Sequence, residues 1–326
     1  MTTGAPSWDR AEPAAAIEAA AARCSNWGRW GPDDRIGTLN HVSPGSRVAA
    51  AGLIRRGAVF SLAQPFGTDG PQTGWRRRTN PVHTMLSSGL DSADSQHFPH
   101  GLSGADDVVF MPLQCSTQWD GLGHIFDHGR AWNGRPAATT VTSDGDLVTG
   151  IEHARDQLVG RGVLLDVGRV LGDDGELADG HPITVAELER TISAQGPTAH
   201  VGHGDLLLVR TGQYTRAKRG GWGQYAGGPA PGLSFGTLDW LHAREIAALA
   251  TDTWGAEVRP NEFDQSFQPF HQVAIPHIGL TLGEMWDLDA LAADCAHDGV
   301  YEFFLCAPPI PITGAVGSPV NPIAVK

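Results

Sequence analysis

Four polar side chains in one short segment have the types and spacing of a site that binds a metal or moves a proton. They are Gln114, Gln118, Asp120 and His124, and all four fall at even positions. In an extended backbone successive side chains alternate faces, so the spacing predicts that Gln114, Gln118 and Asp120 line one side of a strand. The glycines after Asp120 are typical of a strand end, and they let His124 turn back toward the same place.

A carboxylate buried with two neutral amides needs a partner, because burial of unsatisfied polar groups is costly. A divalent cation would supply it, with Gln118, Asp120 and Gln114 as metal ligands. Amide and carboxylate oxygens favour Mn²⁺, with Zn²⁺ and Mg²⁺ as alternatives. Two other interpretations stay open: Asp120 could cap a turn, and Gln114 could be a strand-edge residue bonded to backbone.

The same segment resembles the signature of the cyclase/kynurenine formamidase-like family of metal-dependent hydrolases. The family pattern is His-x-Gly-Thr-His-x-Asp-x-Pro-x-His, and residues 114–124 read Gln-Cys-Ser-Thr-Gln-Trp-Asp-Gly-Leu-Gly-His. Every polar position keeps its spacing, but both expected ligand histidines are glutamines, Gln114 and Gln118, and the proline is Leu122. The segment is therefore similar to a glutamine-bearing branch of the family.

A second polar cluster, nearer the C-terminus, also resembles the family. The family has a histidine followed by a glutamate that opens a helix, and His271 and Glu284 match these positions. The resemblance implies that His271 orients the substrate carbonyl or the water, and that Glu284 accepts a hydrogen bond or binds a second metal. His277 competes with His271 for its role, and Glu284 could instead be a carboxylate favoured by the helix dipole.

The resemblance implies a single swivelling β/β/α-type domain over residues 1–326 that forms a homodimer or a higher homo-oligomer. It also implies a metal-dependent hydrolase that cleaves an amide, imide or lactone bond in a small cyclic or aromatic substrate. In that mechanism the metal activates water, His124 moves the proton, and His271 and Glu284 assist as catalytic residues. The alternatives are a metal-dependent cyclase or dehydratase of secondary metabolism and a non-catalytic protein that binds a small molecule.

The composition argues against several other classes of function. Of the 326 residues, 41% are hydrophobic and 18% are charged, as in a globular protein with a sizeable core. A net charge of −13 argues against a general nucleic-acid surface, and no apolar run reaches the length of a membrane span. The basic cluster Arg76-Arg77-Arg78 is interpreted as a solvated loop or, alternatively, as a handle for an anionic group.

The cysteines and the N-terminus indicate the compartment. The four cysteines have no CxxC spacing and are too few and too scattered for a disulfide framework. The first residues lack a basic region followed by an apolar run, so no signal peptide is predicted. We therefore expect a reduced, cytoplasmic protein.

Periodicity and turn residues predict an α/β fold with a mixed sheet flanked by helices. Helices are expected at residues 11–23, 43–57, 184–195, 237–249 and 284–293. Strands are expected at residues 59–62, 108–118, 162–167, 205–210 and 300–306. The strand at 108–118 would deliver the motif.

We expect residues 1–57 to form a helical N-terminal segment. Two later regions are expected to lack regular structure. Residues 64–107 are rich in glycine, proline and serine and show little periodicity. Because such long stretches are usually functional or mobile, we predict a lid or active-site loop, which contains His83, His97 and His100. The tail from Pro308 is expected to wrap the surface or a partner subunit.

Overall fold

A computed structural model describes residues 8–94 and 98–326, so His97 lies outside the described residues. The strands are β1 (Val59–Ser61), β2 (Val82–Ser87), β3 (Asp106–Phe110), β4 (Gln118–Asp120), β5 (Val141–Thr142), β6 (Gly145–Asp146), β7 (Val159–Asp166), β8 (Pro182–Ile183), β9 (Leu206–Arg210), β10 (Gly232–Leu233), β11 (Ala248–Thr251), β12 (Thr281–Glu284), β13 (Glu302–Cys306), β14 (Gly317–Pro319) and β15 (Ile323–Val325). The helices are α1 (Pro13–Cys24), α2 (Pro44–Ala51), α3 (Asp91–Asp94), α4 (Ala137–Thr140), α5 (Val167–Leu171), α6 (Val185–Gln195), α7 (Gln213–Gly220), α8 (Thr237–Ala243), α9 (Pro269–Val273) and α10 (Asp289–Asp298).

Nine strands form one mixed sheet in the order β1-β15-β13-β7-β9-β11-β12-β4-β14. The central strands β7, β9, β11 and β12 run parallel, and the strands on both sides of them pair antiparallel. Helices α2 and α6 pack on β7, and α5 packs on β9. The predicted α/β class with a mixed sheet is confirmed. In the part of the chain that is described, no helix is long and apolar enough to cross a membrane.

Local sequence accounts for the elements that were predicted best. The leucine- and valine-rich runs of β7 and β9 are buried at the centre of the sheet. Ser43 and Thr184 form capping boxes with Ser46 and Glu187, which satisfy the first backbone amides of α2 and α6. The helix that Ser43 opens ends at Ala51, earlier than predicted.

Two predicted helices are wrong in their extent. Glu284 does not open a helix; it ends β12, and the next helix begins at Asp289. The helix predicted at 237–249 ends at Ala243, and its last residues belong to β11. Short apolar runs look alike in buried helices and buried strands, so pairing within the sheet decided both cases.

The strand predicted over residues 108–118 is interrupted. β3 ends at Phe110, a turn follows, and β4 begins at Gln118. Only residues 118–120 of this segment pair with strands on both sides, β12 and β14, so only they form part of the sheet. Gln114 therefore lies in the turn, and the alternation argument holds for Gln118 and Asp120 alone.

The region expected as an irregular lid, residues 64–107, contributes regular structure. β2 and β3 pair as an antiparallel ribbon, and nearly all of its side chains are exposed. In the ribbon, His83 Nε2 lies 2.8 Å from Asp107 Oδ2, and His100 is exposed as well. The side chains of the ribbon are not part of the buried core.

The C-terminal tail does more than wrap the surface, which corrects the prediction for residues after Pro308. β14 pairs with β4, and β15 lies between β1 and β13. Gly317 and Pro319 hide β14 from sequence patterns, because strands usually avoid both residues, and β15 has only three residues. The tail thus completes the sheet beside the motif.

Gly283, in the centre of β12, lies in a tightly packed part of the core. A Cβ atom on Gly283 would lie 2.7 Å from Ala250 Cβ and 2.8 Å from ring atoms of Trp119 and Trp286. Because a close-packed core absorbs an added methyl group only by shifting, Gly283→Ala should lower the free energy of unfolding by about 1–3 kcal/mol. Urea unfolding followed by circular dichroism measures this. Gly67→Ala, which meets no atom within 4 Å, is the control; equal stability of both variants would contradict the packing argument.

Candidate metal centre

The pairing of β4 with β12 brings predicted site residues from distant segments together. In this antiparallel ladder Gln118 lies opposite Glu284, and Asp120 lies opposite Leu282. Trp119 points to the other face, where its indole nitrogen donates to a backbone carbonyl in the core. Gln118 is 0% exposed, and Asp120 and Glu284 are each 2% exposed. Two carboxylates are thus buried side by side.

The amide of Gln118 links these two carboxylates. Its Nε2 donates to Glu284 Oε2 at 3.0 Å and to Asp120 Oδ1 at 3.3 Å. Its Oε1 is buried and has no hydrogen-bond partner among residues 8–94 and 98–326. Carboxylate oxygens and an unsatisfied amide oxygen are the donor types that hard divalent cations bind.

His271 joins this group from α9. Its Nε2 lies 3.0 Å from Glu284 Oε1, and its Nδ1 lies 2.6 Å from Glu257 Oε1. Glu257 also accepts the backbone N–H groups of Phe270 and His271. A carboxylate behind an imidazole fixes the orientation of the ring. One ligand atom each of Asp120, His271 and Glu284 lies within 4.8 Å of the others, a spacing that one ion can bridge.

Burial and close contact change the protonation of this group. Burial and the neighbouring Glu284 raise the pKa of Asp120 to about 8. Burial alone would lower the pKa of His271, but its hydrogen bonds to Glu257 and Glu284 outweigh burial and raise that pKa to about 10. Like charges this close are costly to ionise together, so protons are held at neutral pH. A divalent cation would stabilise the ionised carboxylates in place of protons.

His124 lies at the edge of the group. Its backbone N–H donates to the carbonyl of Gly121, and this turn leaves Nε2 3.7 Å from Asp120 Oδ2. Burial lowers the pKa of His124 well below its ordinary value, and the charges of Arg78 and Arg76 act in the same direction. The imidazole is therefore neutral at physiological pH, which is the form that accepts a proton.

Two residues considered from the sequence lie outside this hydrogen-bond network. Gln114 packs against Gly317 of β14, and its buried Nε2 finds no hydrogen-bond partner within the described ranges. His277 Nε2 lies 2.9 Å from Asp127 Oδ2, and its ring stacks on a tryptophan. Of the two histidines that competed for the role, His271 is the one that faces the carboxylates.

Glu257 was not singled out from the sequence. It lies in the loop after β11, near the carboxyl end of a parallel strand, where sites of α/β proteins are commonly found. The sequence signal would have been an acidic residue just after a buried strand. The sequence pattern hides this signal, because it predicts a helix through Leu249 where the structure has β11.

The basic loop lies close enough to the buried carboxylates to act on them electrostatically. Gln72, which precedes it, donates to a backbone carbonyl of the motif at 2.7 Å. Arg76 and Arg77 have φ values of 53° and 61°, which is strained for residues other than glycine. The positive charges of Arg78 and Arg76 counteract the raised pKa of Asp120. The loop is therefore part of the electrostatic environment of the site.

A family model described as "Putative cyclase" matches residues 38–258, more than half of the chain. The chain belongs to this cyclase family. A solved structure described as a novel cyclase is 39% identical to it, with a TM-score of 0.82, and the alignment covers 93% of this chain and 100% of that chain. The family resemblance of the motif is therefore confirmed.

More distant solved structures share the fold of this cyclase-family chain. Isatin hydrolase A from Labrenzia aggregata, solved with benzyl benzoate bound, is 17% identical with a TM-score of 0.58, over 86% of this chain and 98% of that chain. A predicted metal-dependent hydrolase from Bacillus stearothermophilus is 14% identical with a TM-score of 0.51, over 83% of this chain and 98% of that chain. No curated protein matches. At these identities the likeness shows the fold alone.

The donor set predicts how metal binding responds to substitution. Asp120→Asn and Glu284→Gln each remove one anionic oxygen ligand, so each should weaken the binding of a divalent cation by more than about tenfold. Isothermal titration with Mn²⁺ and elemental analysis of the protein measure this. Asp107→Asn, which changes an exposed carboxylate of the ribbon, should bind like the wild type. Unchanged affinity of Asp120→Asn would show that the ion binds elsewhere.

Proposed function

We propose that the protein is a metal-dependent hydrolase that cleaves an amide, imide or lactone bond in a small cyclic or aromatic substrate. The proposal rests on one observation: buried carboxylates of Asp120 and Glu284 meet an imidazole and an unsatisfied amide, with neutral His124 at the edge. Membership of the cyclase family supports it, as does the fold shared with an isatin hydrolase and a predicted metal-dependent hydrolase.

The residues present fit a divalent cation. Asp120 and Glu284 offer anionic oxygens, Gln118 offers an unsatisfied amide oxygen, and His271 is oriented by the carboxylate of Glu257. When bound, such a cation polarises a carbonyl group and makes a water molecule more acidic. Because oxygen donors predominate, we propose Mn²⁺ as the preferred ion, with Zn²⁺ and Mg²⁺ as alternatives.

In this proposal His124 carries the proton transfers. Its neutral imidazole accepts the proton of the attacking water and then returns it to the leaving nitrogen or oxygen. Asp120, 3.7 Å away, stabilises the imidazolium that forms between the two steps. Buried hydrogen bonds to Glu257 and Glu284 hold the ring of His271 in place, so His271 can orient the substrate carbonyl without rearrangement.

The surroundings of the site support an aromatic substrate. The ring of Trp75 packs at 5.3 Å against Trp254 and at 5.8 Å against Phe267. Trp254 and Met285, the residue after Glu284, belong to one apolar cluster with Trp75 beside it. Flat apolar surfaces of this kind favour ring-shaped ligands, and the neighbouring arginine loop favours negative charge on the substrate or product.

Two alternatives remain for the same site. The hydrogen bonds of Gln118 and His271 satisfy most of the buried polar groups without an ion, which favours a non-catalytic protein that binds a small molecule. A cyclase or dehydratase would use the same side chains to close a ring. The first alternative predicts binding without conversion, and the second predicts turnover of an open-chain precursor with no hydrolysis.

The role of His124 can be tested on protein loaded with Mn²⁺ and screened against cyclic imides, lactones and aryl amides by chromatography. His124→Ala should lower kcat by about 10²–10⁴, because it removes the proton carrier, while Mn²⁺ affinity stays close to that of the wild type. His128→Ala, at an exposed histidine, is the control. Full activity of His124→Ala would refute the assignment, and ligand binding without turnover by the wild type would favour the binding protein.

We also propose that the protein forms a homodimer or a higher homo-oligomer through the β2–β3 ribbon. An isolated two-stranded ribbon is marginally stable in water. This one nevertheless exposes large apolar side chains, including Leu86 at 69% and Phe110 at 76%. Large apolar side chains that are exposed together on one element are typical of association sites.

A charged residue on the ribbon should therefore disrupt assembly. Phe110→Asp and Leu86→Asp should each shift the mass measured by size-exclusion chromatography with light scattering toward that of a monomer. Val48→Asp, at a position of α2 that is 75% exposed, should leave the mass unchanged. A wild-type monomer, or ribbon variants with the wild-type mass, would rule out the ribbon as the interface.

A further inference from the structure

A second group of metal-ligand side chains lies at the opposite edge of the sheet from Asp120 and Glu284. His203 precedes β9, Glu245 precedes β11, and His41 ends the 3-10 turn Gly37–His41. Because β9 and β11 are parallel, their amino ends meet at one edge, whereas the carboxyl ends meet at the other. One ligand atom from each of the three side chains lies within 4.8 Å of the others.

We propose that His41, His203 and Glu245 form a second metal site, which takes a transition ion such as Zn²⁺ through two imidazoles and one carboxylate. His41 is only 5% exposed, and within the described ranges no donor or acceptor reaches its buried Nε2. A buried ring nitrogen without a partner is unfavourable. A coordinated ion supplies the missing partner.

The backbone of Glu245 is an independent indication. Its φ is 54°, in the left-handed region, directly after the last residues of α8, where glycine is the preferred residue. Its carbonyl accepts a hydrogen bond from Gly204 at 3.0 Å, which holds this conformation. Strained conformations of this kind concentrate at functional sites. Here the strain places a carboxylate beside two histidines.

The turn that carries His203 is held close to His41. A Cβ atom on Gly204 would lie 2.8 Å from the carbonyl oxygen of His41, so only glycine allows this approach. The two imidazole rings lie 4.8 Å apart, edge to face. The nitrogen ligands are therefore brought together by the fold before any ion binds.

Glu245 already has hydrogen-bond and ion-pair partners, and these partners affect how tightly the site binds a metal ion. Its Oε2 lies 2.8 Å from His203 Nδ1, and its Oε1 pairs with Arg29. Coordination replaces the His203–Glu245 hydrogen bond, and a proton displaced from an imidazole goes to solvent. Arg29 orients the carboxylate from outside, while its charge lowers the affinity for a cation. With two nitrogen ligands the site prefers Zn²⁺ to Mn²⁺, unlike the oxygen-rich site at Asp120.

The test uses the full chain carrying Asp120→Asn, which weakens the first site, and it needs no substrate. Isothermal titration should show that this chain still binds one equivalent of Zn²⁺ at the second site. Zn²⁺ should also raise the midpoint of thermal unfolding. His203→Ala and Glu245→Gln, added to this chain, should each weaken that binding at least tenfold and abolish the thermal shift. His297→Ala, at an exposed histidine of α10, should retain both.

Three outcomes would overturn the second site. One is Zn²⁺ binding by His203→Ala with the affinity of the parent chain. Another is an equal loss of Zn²⁺ binding in His297→Ala, which would indicate that the ion binds to dispersed surface histidines. The third is a thermal shift of the same size with Mn²⁺, because two imidazoles should discriminate between these ions. None of these results depends on whether Asp120 and His124 catalyse hydrolysis.

Discussion

The ladder between β4 and β12 is the constraint on which the candidate metal centre depends. Three residues of β4 are inserted between β12 and the C-terminal strand β14, and this pairing buries Gln118 and Asp120 against Glu284. Trp119 anchors the opposite face in the core. Carboxylates leave water only if something compensates their charge. Gln118, His271 and the nearby arginine loop supply part of that compensation, and a divalent cation would complete it.

Glutamine in place of the family's histidine changes the character of this centre. An amide both donates and accepts, so Gln118 can link two carboxylates through Nε2, which an unprotonated ring nitrogen cannot do. The same amide is a weaker metal ligand than an imidazole. We therefore expect the centre to be more stable without an ion, and to bind an ion less tightly, than a centre with histidine at this position. The balance between these two effects distinguishes a hydrolase from a binding protein.

The two ends of the parallel strands carry different sets of metal-ligand atoms. At the carboxyl ends, Glu284 and Glu257 meet His271, and the donors are mostly oxygen. At the amino ends, His41 and His203 meet Glu245, and two of the three donors are nitrogen. The nitrogen-rich donor set and the oxygen-rich donor set therefore favour different ions.

The sequence by itself determined the family, the α/β class and the shared face of Gln118 and Asp120, because motif spacing and strand alternation are local properties. It placed His271 and Glu284 at the site only through resemblance, and it misread Glu284 as the start of a helix. Glu257, the arginine loop and the final position of Gln114 were decided by the tertiary structure. These features depend on which strands pair and where turns interrupt them, and short apolar runs do not encode that choice locally.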